Sequence, residues 1–195
     1  MIILGLTGSI GMGKSTTAEM FRDAGVPVWD ADAAVHRLYA ADGAGTEAIS
    51  KLCPDAISVQ GVDRTKLRAA ILSDDQLLPK IEAAIHPLVA ADRNTFLDDA
   101  RSSGAKIALC DIPLLFETGA NKWLDRIVVV SAPADVQRDR VLARPGMTEE
   151  AFKAILAKQT PDAEKRAKAD YIVDTSQGLD HAREAVREIV EDLDA

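Results

Sequence analysis

The chain has 195 residues, with 23 Lys and Arg against 31 Asp and Glu, a formal net charge of −8. At about 150 residues per domain that is one domain, large enough to bury a core without disulfide staples. Hydrophobic residues at 47% and charged residues at 28% exclude wholesale disorder, and the acidic balance argues against a nucleic-acid binder, whose affinity comes from basic groups on phosphates.

Any anionic ligand must therefore meet a local positive site. Cys53 and Cys110 are too few for a disulfide framework and suit a reducing compartment. The run Met1–Leu6 has no basic flank and is too short for a signal peptide, and nothing approaches the roughly 20 apolar residues of a membrane span. The expectation is a soluble, cytoplasmic protein.

Along the chain, strand-like and helix-like runs alternate, the pattern of a parallel α/β sheet. Ile2–Leu6 reads as the first strand, Ser15–Ala24 as a helix stopped by Gly25, and Val26–Trp29 as the second strand. Between Ala33 and Ser103 the pattern is helical, with no strong strand. Helices are expected at Arg64–Leu72 and Lys80–Ile85, and a long one begins at Pro87 and ends near Arg101. So long a connection is read as an insertion above the sheet.

Lys106–Cys110 and Arg126–Ser131 are nearly unbroken apolar runs, as suits strands covered on both faces. A charge-rich helical stretch follows from Ala134 to Lys168, then a last strand at Tyr171–Val173 and a helix from Leu179 to Leu193. The predicted organisation is one α/β domain with a five-stranded parallel sheet flanked by helices. Its core is residues 1–32, 104–133 and 169–195, with a helical insertion 33–103 and a second helical stretch 134–168.

Gly8-Ser9-Ile10-Gly11-Met12-Gly13-Lys14-Ser15 satisfies G-x-x-x-x-G-K-[ST] in full, between a strand and a helix. The glycines let backbone wrap phosphate oxygens, and the N–H groups of the loop and helix start point at the anion. Gly8, Gly11, Met12, Gly13, Lys14, Ser15 and Thr16 are thus the expected ATP-binding residues. Lys14 reaches the β- and γ-phosphates, and the Ser15 hydroxyl is placed to ligate Mg²⁺.

Such loops serve switches, motors and kinases alike. A GTPase switch would carry Asn-Lys-x-Asp after a strand. Here Asn121-Lys122-Trp123-Leu124 lacks the Asp and precedes the strand, and Asp111-Ile112-Pro113-Leu114 is not D-x-x-G. The length excludes a large ATPase. What remains is a compact P-loop kinase, with 33–103 as its acceptor-binding insertion and 134–168 as its lid.

Asp30 and Asp32 fall at the carboxyl end of the second strand, where α/β sheets bind ligands. One of them either takes a proton from an attacking hydroxyl, or Asp32 caps the helix beginning at Ala33. Arg140 and Arg144 share a helix face at i, i+4 spacing, with Arg138 beside them. Such cations either stabilise the transferring phosphoryl group or pair on a solvated face with Asp135 and Asp139. Asp111, ending a strand beside the loop, either holds Mg²⁺ through water or simply ends the strand.

Leu6–Ser15, then Asp30-Ala31-Asp32, Ile85-His86-Pro87-Leu88 and Pro113-Leu114-Leu115-Phe116-Glu117 resemble the dephospho-CoA kinase family. Gln137 with Arg140 and Arg144, and Ala169–Asp174, extend the resemblance over almost the whole chain. It implies transfer of the γ-phosphoryl of ATP, with Mg²⁺, to the 3′-hydroxyl of the dephospho-CoA ribose, the last step of coenzyme A biosynthesis. It also implies Asp32, Lys14 and Arg140 as catalytic residues. The acceptor residues it implies are Thr7, Asp32, His86, Pro113, Leu114, Glu117 and Arg144.

The family often has Gly where Ser9 stands and Asn where Thr175 stands, which leaves the adenine contacts around Asp174–Gln177 open. The expected partners are ATP and dephospho-CoA, with no nucleic acid and no membrane. A monomer is the expected state, an oligomer the alternative.

Overall fold

The computed structural model describes residues 1–194, so Ala195, the last residue of the predicted core, lies outside the described residues. Strand β1 (Ile2–Thr7) runs into the phosphate loop, and α1 (Lys14–Asp23) starts directly behind it. Strand β2 (Val28–Asp30) leads without a gap into α2 (Ala31–Leu38), followed by α3 (Ala44–Leu52). A small hairpin, β3 (Ile57–Ser58) and β4 (Gly61–Val62), precedes α4 (Arg64–Ser73) and α5 (Leu77–Ser102). Then come β5 (Ile107–Asp111), β6 (Arg126–Ser131), α6 (Ala134–Leu142), α7 (Glu149–Leu156), α8 (Asp162–Ala167), β7 (Tyr171–Asp174) and α9 (Leu179–Asp194).

The chain divides into two units, Met1–Trp29 with Ala100–Ala195, and Asp30–Asp99. The first carries the five-stranded parallel sheet, in the order β2-β5-β1-β6-β7. With β1 between β5 and β6, the loop leaves the middle of the sheet, and Leu6 pairs with Asp111 across β5. Leu4, Leu6, Leu109, Val128 and Val130 have no exposed surface, and Phe21 of α1 and Val186 of α9 pack into the same cluster. That two-sided burial is what the unbroken apolar runs predicted.

The second unit has its own core of Ile49, Leu67, Leu77, Ile81 and Ile85. Three expectations are corrected there. The hairpin β3–β4 stands where no strand was foreseen. Two residues per strand are too few to show alternation, and Gly61, at φ 106°, passes so close to Tyr39 that a Cβ would lie 2.1 Å from its carbonyl oxygen.

The second correction is α5, which does not begin at Pro87 but runs through it as one helix of 26 residues. Pro87 and Ala83, whose carbonyl loses its partner, are both exposed, so water takes the vacated acceptor while Ile81 and Ile85 stay buried. Third, Asp30 rather than Asp32 caps α2: its carboxylate accepts the Ala33 N–H at 2.9 Å.

Phe21 supplies the test of the main core. Phe21→Ala should lower unfolding free energy by about 3–5 kcal/mol in urea titrations, the cost of emptying a fully buried aromatic site. A loss below about 1 kcal/mol would show that α1 is not seated on the sheet as described.

Candidate active site

The loop is anchored before it turns. Thr7, fully buried, donates its hydroxyl to the Pro113 carbonyl at 3.1 Å, which fixes the segment after β5 against the end of β1. A Cβ on Gly8 would lie 2.8 Å from the Val130 carbonyl oxygen, so only glycine passes there. Gly11 and Gly13 have φ of 79° and 91°, the left-handed turns that present successive N–H groups on one side. Between them Met12 is buried, and its Sδ accepts the Ala132 N–H at 3.1 Å.

At the start of α1 the Lys14 ammonium is paired with the Asp111 carboxylate, which the β1–β5 register brings alongside. Ser15, in the same turn, is exposed. A cavity of about 310 Å³ opens beside the loop, lined by Gly11, Gly13, Thr16, Arg140, Arg144 and Thr175.

Arg140 is held there by oxygens that carry no charge. Its guanidinium donates to Thr175 Oγ1 at 2.8 Å and to the Thr175 carbonyl at 2.7 Å, and the Thr175 hydroxyl donates in turn to the Met12 carbonyl at 2.9 Å. Arg138 is instead on the solvated face, 2.8 Å from Glu149. The structure thus brings two of the three candidate arginines to the loop, but not on a shared helix face as expected: α6 ends at Leu142, so Arg144 reaches the cavity from beyond it. At the rim, the Asp174 carboxyl lies below the usual range because the Ser176 hydroxyl and backbone N–H both donate to it.

Glu117 is engaged from α8 and the segment before it. Its Oε1 accepts the Thr160 N–H at 2.6 Å and lies 3.2 Å from the Lys165 ammonium, whose side chain has no exposed surface. Burial alone would raise this carboxyl, but the Thr160 N–H and the Lys165 charge outweigh it and hold it below the usual range. Leu114, earlier in the same segment, is exposed.

Asp32, in the first turn of α2, and His86, on α5, are exposed in the second unit. Thr175 and Lys165 were not singled out from the sequence as making these contacts. The signal in reach was the helical turn Ala163–Ala167, where a lysine falls on the inward face, but a surface lysine reads the same way.

Among the described residues no cluster of three or more His, Cys, Asp or Glu is arranged for a metal, and neither Cys53 nor Cys110 is in a disulfide. No helix there is long and apolar enough to cross a membrane.

A phosphate loop leaving the central strand of this sheet, with a strand-end aspartate beside it and a helical segment carrying arginines to it, defines a P-loop kinase fold. The dephospho-CoA kinase family model matches residues 2–181. A dephospho-CoA kinase of Mesorhizobium japonicum is 58% identical over 193 residues, 99% of this chain and 97% of its own length.

Among solved structures, TT1252 from Thermus thermophilus superposes with a TM-score of 0.83 at 34% identity, covering 98% of this chain and 96% of that one. Dephospho-CoA kinase from Campylobacter jejuni shares the fold, with a TM-score of 0.68 at 21% identity over 98% of this chain and 96% of its own. The chain belongs to the dephospho-CoA kinase family.

The Glu117–Lys165 pair yields a prediction with a sign. Glu117→Ala leaves a buried ammonium uncompensated and should cost about 3–5 kcal/mol of stability at neutral pH. Because the folded-state carboxyl titrates below its unfolded value of about 4.3, its contribution is complete above that pH and is lost as pH falls through the lower folded value. The gap between wild type and Glu117→Gln, followed by thermal melts, should therefore close in acid. A gap that is constant with pH would mean the carboxylate does not sense Lys165.

Proposed function

We propose that this chain transfers the γ-phosphoryl group of ATP to the 3′-hydroxyl of dephospho-CoA. What carries the reading is a complete phosphate loop with Lys14 at its helix end, in a chain that matches the family over residues 2–181. The loop amides and Lys14 hold the β- and γ-phosphates, with Lys14 exchanging its Asp111 partner for phosphate oxygens. Arg140 meets the charge that spreads over the equatorial oxygens during transfer. Arg144, two residues past the end of α6, lines the same cavity and serves the acceptor.

Asp32 takes the proton of the ribose hydroxyl as its oxygen bonds to the γ-phosphorus. The bond from that phosphorus to the bridging oxygen breaks, and ADP leaves with the electron pair. The exposed Leu114 offers the acceptor an apolar wall, Thr7, Pro113 and Glu117 set the course of that segment, and His86 serves the acceptor from the insertion.

The oxygen donors beside the loop, the Ser15 hydroxyl and the Asp111 carboxylate, fit a hard divalent cation such as Mg²⁺. An ion that arrives on phosphates and keeps most of its waters needs only one or two protein oxygens. Ser15 would hold it directly and Asp111 through water. Bound there, it would neutralise charge on the β- and γ-oxygens. The same reading makes the protein a cytoplasmic enzyme with two anionic small-molecule substrates.

An ADP-release assay over dephospho-CoA, adenosine, AMP and shikimate should show dephospho-CoA as the best acceptor. A clear preference for AMP would sink the assignment and favour a nucleotide kinase. Within the site, Asp32→Asn should lower kcat by about 10²–10⁴-fold with little change in ATP affinity, the usual worth of general-base help. Asp30→Asn should be almost silent, because Asn caps a helix about as well as Asp. A larger loss at Asp30 than at Asp32 would assign the proton to the other carboxylate.

A further inference from the structure

Ile10, in the middle of the phosphate loop, is gripped from two sides by amide side chains of the lid. Gln137 on α6 donates from Nε2 to the Ile10 carbonyl at 2.7 Å, and Gln159, beyond α7, accepts the Ile10 N–H at Oε1, 3.1 Å away. The donor must be Nε2 in one and the acceptor Oε1 in the other, since a carbonyl only accepts and an N–H only donates. Gln137 is buried, whereas Gln159 is half-buried.

The two bonds hold different peptide planes. The Ile10 N–H belongs to the Ser9–Ile10 peptide, and in a trans unit the Ser9 carbonyl points the opposite way, where it accepts the Met12 N–H at 3.1 Å. The Ile10 carbonyl belongs to the Ile10–Gly11 peptide, so the Gly11 N–H points away from Gln137. That second plane is easily turned over. Gly11, at φ 79°, is at home on either sign of φ, and a flip costs little backbone energy. A flipped plane shows a carbonyl oxygen where the Gly11 N–H stood, turning attraction for an anion into repulsion.

We propose that Gln137 and Gln159 are positioning residues that lock the peptide planes on either side of Ile10, holding the phosphate loop in its anion-accepting form and making that form depend on the lid. Both act through Ile10. The neighbouring Thr160 N–H is tied to Glu117, so the segment bearing Gln159 is fixed at two successive residues. The proposal rests on the reading of this loop as the phosphate site.

Gln137→Met and Gln159→Met keep volume and remove the bond, and inorganic tripolyphosphate, which has no adenine and no acceptor group, probes the loop alone. Tripolyphosphate affinity by calorimetry and KM for ATP should each weaken about 3- to 10-fold, the worth of one hydrogen bond. KM for dephospho-CoA should move by less than about twofold, and the double variant should lose less than the product of the singles, because both bonds serve one residue. Should Gln137→Met fail to fold, Gln159→Met carries the test by itself.

Tripolyphosphate binding unchanged in Gln159→Met, with only the melting temperature lowered, overturns the proposal. Lys14→Ala separates the two readings. If it abolishes tripolyphosphate binding while the glutamine variants bind normally, the loop is the phosphate site and the glutamines are structural. If Lys14→Ala binds as wild type does, the phosphate site itself is misassigned and the proposal falls with it.

Discussion

A cradle for a polyphosphate needs several backbone N–H groups aimed at one point, and backbone so used cannot satisfy those groups in a helix or a sheet. That constraint shapes the surroundings of residues 8–15. Left-handed turns at Gly11 and Gly13 aim the amides, and such turns leave the loop with little intrinsic stiffness. Stiffness must come from outside. Met12 is clasped by the Ala132 N–H and by the Thr175 hydroxyl, Ile10 by two glutamines, and Gly8 by the close passage of Val130.

The second demand is charge. A protein of net charge −8 must gather cations where triphosphate binds, and it holds its two main ones differently. Lys14 rests against Asp111, whose side chain is 3% exposed, so the ligand must compete with a carboxylate for the ammonium. Arg140 rests on the hydroxyl and carbonyl of Thr175, which orient the guanidinium without cancelling its charge. An arginine on a carboxylate, as Arg138 is on Glu149, is a weaker attractor for an anion. Neutral anchoring therefore distinguishes Arg140 from its neighbour two residues earlier on the same helix.

The sequence carried those features whose cause is local. The loop and the sheet strands were legible because each follows from a short pattern, and the β5–β1 adjacency put Asp111 beside the loop as expected, though its pairing with Lys14 was not foreseen. What was hidden depends on distant partners. Thr175 lies 35 residues from Arg140, and Gln159 lies 149 residues from Ile10, separations at which no periodicity speaks. Asp30 and Asp32 show the limit at short range: both stand where a cap can form, and only backbone geometry decides that Asp30 takes it. That assignment removes the capping explanation for Asp32, which stays exposed in the first turn of α2.

Glu117 and Lys165 raise the question of why this chain should spend stability on a buried ion pair. Two apolar side chains of similar size would hold α8 against the segment after β5 at least as firmly, since desolvating an ammonium and a carboxylate consumes most of what their attraction returns. Apolar contacts, however, tolerate sliding, and the bonds made by Gln159 and Thr160 do not. A shift of one residue would carry Gln159 off the Ile10 N–H and Thr160 off the Glu117 carboxylate together. A buried ammonium has one acceptable position, within reach of its carboxylate, so the pair sets the register of the strap between α7 and α8. Through Ile10, that register reaches the phosphate loop, which is where the electrostatic cost of the pair becomes geometry at the loop.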